Sequence, residues 1–151
     1  MRTIGLLSLL SILFLTGCGE TETASQDRHP LSTEAAPEAI GPYSQAIQVG
    51  RTIYCSGQIG IHPETDSLVA GGIKAETRQA LDNLAAVLQA GGASLDDVVQ
   101  AQVFLADLDD YQAMNEVYGT YFETAPPARA AVEAARLPAG ARVEIMVTAR
   151  K

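Results

Sequence analysis

Arg142-Val143-Glu144-Ile145-Met146-Val147-Thr148-Ala149-Arg150 is the stretch on which the fold turns. Val143, Ile145, Val147 and Ala149 fall on one side of an extended chain, and Glu144, Met146 and Thr148 on the other. That two-residue period belongs to a strand with one face in a core. Just upstream, Ala128 to Ala135 also reads as a strand. Before it, Asp109 or Asp110 can cap a helix that places Tyr111, Met114, Tyr118 and Tyr121 on one face, where their simplest role is core. Val99, Ala101, Val103 and Leu105 alternate with polar or exposed-looking neighbours and predict another strand. From Lys74 to Ala90, Thr77, Leu81, Leu84 and Leu88 recur at helical spacing until Gly91-Gly92 stops the helix. His62-Pro63-Glu64-Thr65-Asp66 is a turn-rich loop, and Ala46 to Val49 with Thr52 to Ser56 flank Gly50-Arg51 as a hairpin.

The order β-β-α-β-α-β-β predicts an α+β fold: a mixed β-sheet with two helices packed on one face, not a doubly wound sheet. A sheet face without helices needs some other partner wherever it carries apolar residues.

At 151 residues, with 47% hydrophobic and 19% charged, the chain has room for one domain with one core. Residues 1–17 read as a signal peptide: Arg2, an apolar run from Ile4 to Leu15, then Leu15-Thr16-Gly17-Cys18. The run is too short to span a bilayer. Leu-Thr-Gly-Cys resembles a bacterial lipobox, which predicts cleavage before Cys18 and lipidation of its thiol; the plain alternative is an ordinary secretory peptide. On the first reading the protein is exported and held at the cell envelope through Cys18, facing the periplasm in a Gram-negative cell. Residues 18–30 then comprise the acylated cysteine and a disordered tether with almost nothing apolar to bury, and residues 31–151 the domain. Cys55 is left without a pairing partner and reads as a small buried hydrophobe. A formal charge of −8 argues against a phosphate-backbone partner, so no nucleic acid is expected.

Arg129 and Glu144 carry the chemistry. An arginine fork reads a carboxylate bidentately, and a glutamate held nearby can steer and deprotonate a water, which together suggest hydrolysis of a small acid. The plain alternative is an ion pair between neighbouring strands, worth about 0–1 kcal/mol. Other chemistries find little support. The two histidines, His29 and His62, lie in the tether and a loop with no ligand cluster at metal spacing. No phosphate-cradling glycine loop or nucleophile elbow is present. Of the two lysines, Lys74 opens a helix and Lys151 ends the chain, so neither a metal nor another cofactor is implied.

Pro127-Ala128-Arg129, Val132, Ala135-Arg136-Leu137 and Val143-Glu144-Ile145 together resemble the signature of the Rid (reactive intermediate deaminase) family, also called YjgF. Ile40-Gly41-Pro42-Tyr43-Ser44-Gln45-Ala46, Ser56-Gly57-Gln58-Ile59 and Arg78-Gln79-Ala80-Leu81-Asp82-Asn83-Leu84 agree with it, so the match runs over roughly residues 31–150. The resemblance implies a chorismate-mutase-like fold assembled as a homotrimer with sites at the subunit clefts. It also implies hydrolytic deamination of small 2-imino or enamine acids to 2-oxo acids and ammonia. Arg129 would hold the substrate carboxylate and Glu144 the water. Tyr43, Ser56, Gly57 and Asn115 match positions that line the family's pocket; their plain readings are aromatic core, strand-end serine, turn glycine and polar helix face. Ala131 stands where many of these deaminases have cysteine, and Glu123-Thr124-Ala125-Pro126-Pro127 makes a short approach to Arg129 that could reshape the cleft wall. Ala131 and the export signal motivate a second reading, a membrane-tethered module that binds a carboxylate ligand without turnover.

Overall fold

The alternation around Glu144 produces the central strand of the sheet. In the computed structural model, which describes residues 27–151, β9 (Val143–Arg150) buries Val143, Ile145, Val147 and Ala149 against the helices. The remaining elements, in chain order, are β1 (Arg28–Leu31), β2 (Ala46–Val49), β3 (Thr52–Cys55), β4 (Gln58–Ile59), β5 (Ile61–His62), β6 (Ser67–Leu68), α1 (Gly72–Ala90), β7 (Val98–Leu105), α2 (Tyr111–Tyr121) and β8 (Ala128–Glu133). The sheet runs β1-β2-β3-β9-β7-β8, with β4 pairing β9 beyond the end of β3, and β5-β6 form a separate small hairpin. All pairings are antiparallel except β7 with β8, which α2 joins as a crossover. The sheet is therefore mixed, with an α+β architecture.

α1 buries Thr77, Leu81, Leu84, Val87 and Leu88 on the sheet, and Met114 and Tyr118 of α2 complete the core. Gly92 ends α1 at φ +70°, with the Ala93 N–H donating to the Leu88 carbonyl and the Gly92 N–H to that of Gln89. This is the glycine closure that Gly91-Gly92 predicts. Cys55 is buried and its thiol is pushed up to about 12 by desolvation, consistent with a packing role.

Two buried polar side chains tie α1 to the strands near Glu144. Asn83 donates to the carbonyls of Ile59 and Ile61, at 3.2 and 2.9 Å. Glu76 accepts the Arg142 N–H at 2.7 Å, which fixes the entrance to β9. A Cβ on Gly60 would lie 2.6 Å from the Glu76 Cα, so only glycine permits this approach of β4 to the helix.

Several expectations are corrected. Arg28, His29 and Pro30, placed in a disordered tether, form β1 on the sheet edge, where a strand tolerates proline. Residues 1–17 and Cys18 lie outside the described residues. Val99 is exposed and Val98 buried in its place, because the β7–β9 register shifts between Val98 and Gln100. Asp110 takes the N-cap position of α2 but makes no side-chain cap, and Asp107 caps the short 3₁₀ turn before it by accepting the Asp109 N–H. Asp110 pairs with Arg142 instead, at 2.7 Å, on the surface. Tyr111 is 41% exposed and is not core.

The second sheet face carries no helix. Registered pairs Ile47 with Tyr54, Tyr54 with Thr148, Gln102 with Met146, and Phe104 with Glu144 and Val132 all point to it. Tyr54 and Val132 are 52% and 48% exposed there.

Candidate active site

Register separates the two residues that carry the chemistry. Arg129 lies opposite Ala101 in β7, itself opposite Val147 in β9, so its side chain leaves from the helix face of the sheet. Glu144 lies opposite Phe104 and Ile59 and leaves from the other face. β7 also stands between β8 and β9. Within one chain Arg129 and Glu144 do not meet, which removes the simple inter-strand ion pair as an explanation of either.

Arg129 is held by α2. Its Nη2 donates to Asn115 Oδ1 at 2.7 Å and to the Tyr111 hydroxyl at 3.2 Å. The guanidinium carbon stands 4.4 Å from the Tyr118 ring centroid and 5.8 Å from that of Tyr111. Such cation–π stacking holds a guanidinium plane without using its N–H donors. Among the described residues both hydrogen bonds use Nη2, which leaves the Nε and Nη1 N–H groups as donors to a carboxylate. The concavity around it, about 360 Å³, is lined further by Gly119, Pro126, Pro127 and Ala131.

Titration follows from the same contacts. The Asn115 amide first, then the Arg129 guanidinium and its charge, lower the Tyr111 hydroxyl from its ordinary value. Burial raises that of Tyr118 against the opposing pull of the Arg129 charge. The Tyr118 hydroxyl is buried and makes no hydrogen bond among the described residues.

Glu144 occupies a different cleft, about 80 Å³, whose lining includes Ile40, Tyr43, Gly57, Gln58 and Pro138. It is half-buried, and desolvation raises its carboxyl above the ordinary glutamate value. Gly57 makes the position possible: a Cβ there would sit 1.9 Å from Glu144 Oε1 and 2.9 Å from its Cγ. Tyr43 stands on an exposed loop, its hydroxyl accepting the Ile40 N–H at 3.4 Å. Buried Gln45 anchors the stem of that loop. Its Oε1 accepts the Thr33 N–H at 2.7 Å, and its Nε2 donates to the carbonyls of Thr33, Ala36 and Pro37. Ser56 is engaged in the same anchoring: its hydroxyl donates to the Ser44 carbonyl at 2.7 Å, and its N–H to that of Gln45.

Two groupings result. Tyr43, Gly57 and Glu144 share one cleft; Asn115, Ala131 and Arg129 share the other; Ser56 supports the first from behind. The resemblance implies sites at subunit clefts, and within one chain its residues form two groups facing opposite ways, each a half-site in that reading. Tyr118 is core, as the helix pattern predicts, and stacks on Arg129 as well, whereas Tyr111 is exposed and Gln45 carries no local signal of its anchoring role. The signal for the tyrosines was the spacing of Tyr111, Asn115 and Tyr118 at i, i+4 and i+7, which puts an amide between two aromatic rings on one helix face.

One half can hold a carboxylate and the other can accept a proton. Comparison with known proteins places the chain in a family. The family model described as Endoribonuclease L-PSP matches residues 33–151. A mouse protein named 2-iminobutanoate/2-iminopropanoate deaminase is 53% identical over 118 residues, covering 78% of this chain and 87% of its own. The human protein of that name is 50% identical over 122 residues, covering 81% and 89%. Among solved structures, RidA from the Antarctic bacterium Psychrobacter sp. PAMC 21119 superposes with TM-score 0.79 at 45% identity, covering 82% of this chain and 99% of its own. Escherichia coli TdcF with bound serine gives 0.78 at 36% identity, covering 82% and 98%.

Proposed function

The chain belongs to the endoribonuclease L-PSP family, and on that premise we propose that it is an imine deaminase, hydrolysing small 2-imino or enamine acids to 2-oxo acids and ammonia. The observation that carries the reading is the division of labour between the half-sites: a guanidinium held by α2 with N–H donors to spare, and a half-buried carboxylate with a raised pKa. Relatives at about half identity bear the corresponding deaminase name. The family description also names an endoribonuclease, but a formal charge of −8 opposes a phosphate-backbone substrate.

In this reading the substrate carboxylate docks on the Arg129 guanidinium, accepting from N–H groups that Asn115 and Tyr111 do not use, with the stack on Tyr118 and the Asn115 hydrogen bond fixing its plane. The imine carbon is then presented to Glu144 of a neighbouring copy. Glu144 takes a proton from water as the oxygen adds to that carbon and passes it to the imine nitrogen, giving a neutral carbinolamine. The carbinolamine collapses as Glu144 takes its hydroxyl proton and delivers it to the amino nitrogen, the C–N bond breaks and the C=O bond forms. One water is consumed, ammonia and a 2-oxo acid are released, and nothing is oxidised or reduced. Ala131 contributes a methyl group and backbone to the wall.

Because the half-sites face opposite ways, the working protein is a homo-oligomer in which the uncovered sheet face is closed by other copies. A homotrimer accommodates this as a cyclic ring with one site per interface. Lipid anchoring at the cell envelope through Cys18 belongs to the same proposal; its support is Leu15-Thr16-Gly17-Cys18 after the apolar run. Mass spectrometry of the mature chain tests it, an acylated N-terminal Cys18 supporting it and an unmodified one refuting it.

The activity is tested by keto-acid release from 2-iminopropanoate and 2-iminobutanoate, generated in situ by an amino-acid oxidase. Acceleration that is lost in both Arg129→Ala and Glu144→Gln supports the deaminase. No acceleration by the folded oligomer refutes it.

A further inference from the structure

Gly119 is a glycine that the fold does not require. It lies inside α2, where glycine is the least favourable residue after proline. It is not among the glycines with positive φ, and a Cβ built on it meets no atom within 4 Å. Neither backbone geometry nor packing within the chain explains it.

Its position suggests another reason. Tyr111, Asn115 and Gly119 are spaced i, i+4 and i+8, one row along α2. The first two members hold Arg129 Nη2, and the third lines the same concavity of about 360 Å³. A side chain at position 119 would therefore enter the space beside the guanidinium. In a 2-imino acid the side chain is attached to the carbon bonded to the carboxylate, so with the carboxylate on Arg129 that side chain falls close by, among Gly119, Pro126, Pro127 and Ala131. None of these four presents a polar side chain.

We propose that Gly119 determines substrate size: the space it leaves beside Arg129 admits imino acids with branched apolar side chains larger than that of 2-iminobutanoate. This rests on the reading of Arg129 as the carboxylate-binding residue. The test uses the full oligomer, comparing kcat/KM for the imine derived from leucine with that for 2-iminopropanoate in the parent, Gly119→Ala, Gly119→Leu and Arg129→Ala. The parent should turn over both imines. In Gly119→Leu the ratio of leucine-derived to alanine-derived activity should fall about tenfold or more, with Gly119→Ala between. Both Gly119 variants should melt a few degrees higher, about 3–5 °C, because alanine and leucine favour the helix. An unchanged ratio overturns the inference, as does a parent inactive on the leucine-derived imine. A change in oligomer size in the Gly119 variants also overturns it, because glycine would then be seating a neighbouring copy. An indifferent Arg129→Ala would bring down the carboxylate reading itself, whereas a defective Arg129→Ala with an unchanged Gly119 ratio removes this inference alone.

Discussion

Gly57→Ala isolates the placement of Glu144 from its chemistry. The added Cβ would sit 1.9 Å from Glu144 Oε1, while an ordinary carbon–oxygen contact is about 3.3 Å. The carboxylate must therefore retreat by about 1.4 Å, taking its Cγ, 2.9 Å from the new methyl, along with it. Misplacement by about 1 Å costs roughly a hundredfold, and complete loss of a general base about 10²–10⁴-fold. Gly57→Ala should therefore lower kcat on 2-iminopropanoate by about a hundredfold. Stability should change by less than about 1 kcal/mol, since the half-exposed glutamate side chain has room to swing and Gly57 is not held at positive φ. Keto-acid release and a thermal melt on the same preparation measure both. Combining Gly57→Ala with Glu144→Gln should add nothing to the loss from Glu144→Gln alone, because both remove the same function. If Gly57→Ala retained kcat within roughly threefold of the parent, the argument that Gly57 positions a catalytic carboxylate would fail.

Four other variants test contacts described above. Because desolvation raises the Glu144 pKa in the folded state, its contribution to stability is present at low pH and is lost as pH rises through the folded value. Glu144→Gln should accordingly melt at or above the parent at neutral pH, with the difference shrinking in acid, while kcat in the parent falls on the acid side with an apparent pKa above that of ordinary glutamate; a less stable Glu144→Gln at pH 7 contradicts this. Tyr118→Phe removes a buried hydroxyl with no hydrogen-bond partner among the described residues and should be neutral or stabilising by about 1 kcal/mol. Tyr118→Leu, which removes the ring 4.4 Å from the guanidinium, should raise KM more than it lowers kcat; steady-state kinetics on the two variants decide it. Gly60→Ala puts a methyl 2.6 Å from the Glu76 Cα and should destabilise by about 2–3 kcal/mol in a denaturant titration, while an unperturbed midpoint would show that α1 can yield there.

The architecture was legible because its period is strict. Val143, Ile145, Val147 and Ala149 repeat every second residue and are buried, and Thr77, Leu81, Leu84 and Leu88 repeat at helical spacing and are buried. Legibility failed where tertiary contacts override local pattern. Val99 fits the alternation but a bulge turns it to solvent. Arg28 to Pro30 are too polar to suggest order, yet pairing with β2 makes them a strand, since edge pairing needs backbone groups and not apolar side chains. Arg129 and Glu144 were singled out from their motifs, but their separation was not visible. It depends on β7 entering the sheet between β8 and β9, a long-range pairing that no local spacing encodes. Of the two tyrosines beside Arg129, Tyr118 is core as expected and Tyr111 is exposed, because an aromatic stripe on a helix has the same sequence pattern whether it packs inward or stacks on a cation.

The central claim, one imine-hydrolysing site built from the Arg129 half of one copy and the Glu144 half of another, is tested most directly by mixing two inactive variants. Arg129→Ala and Glu144→Gln chains, dissociated and co-assembled in equal amounts, should regain about one quarter of parental activity in a cyclic oligomer, because about one interface in four pairs two intact halves. Co-assembled oligomers that stay as inactive as either variant alone would contradict the shared site.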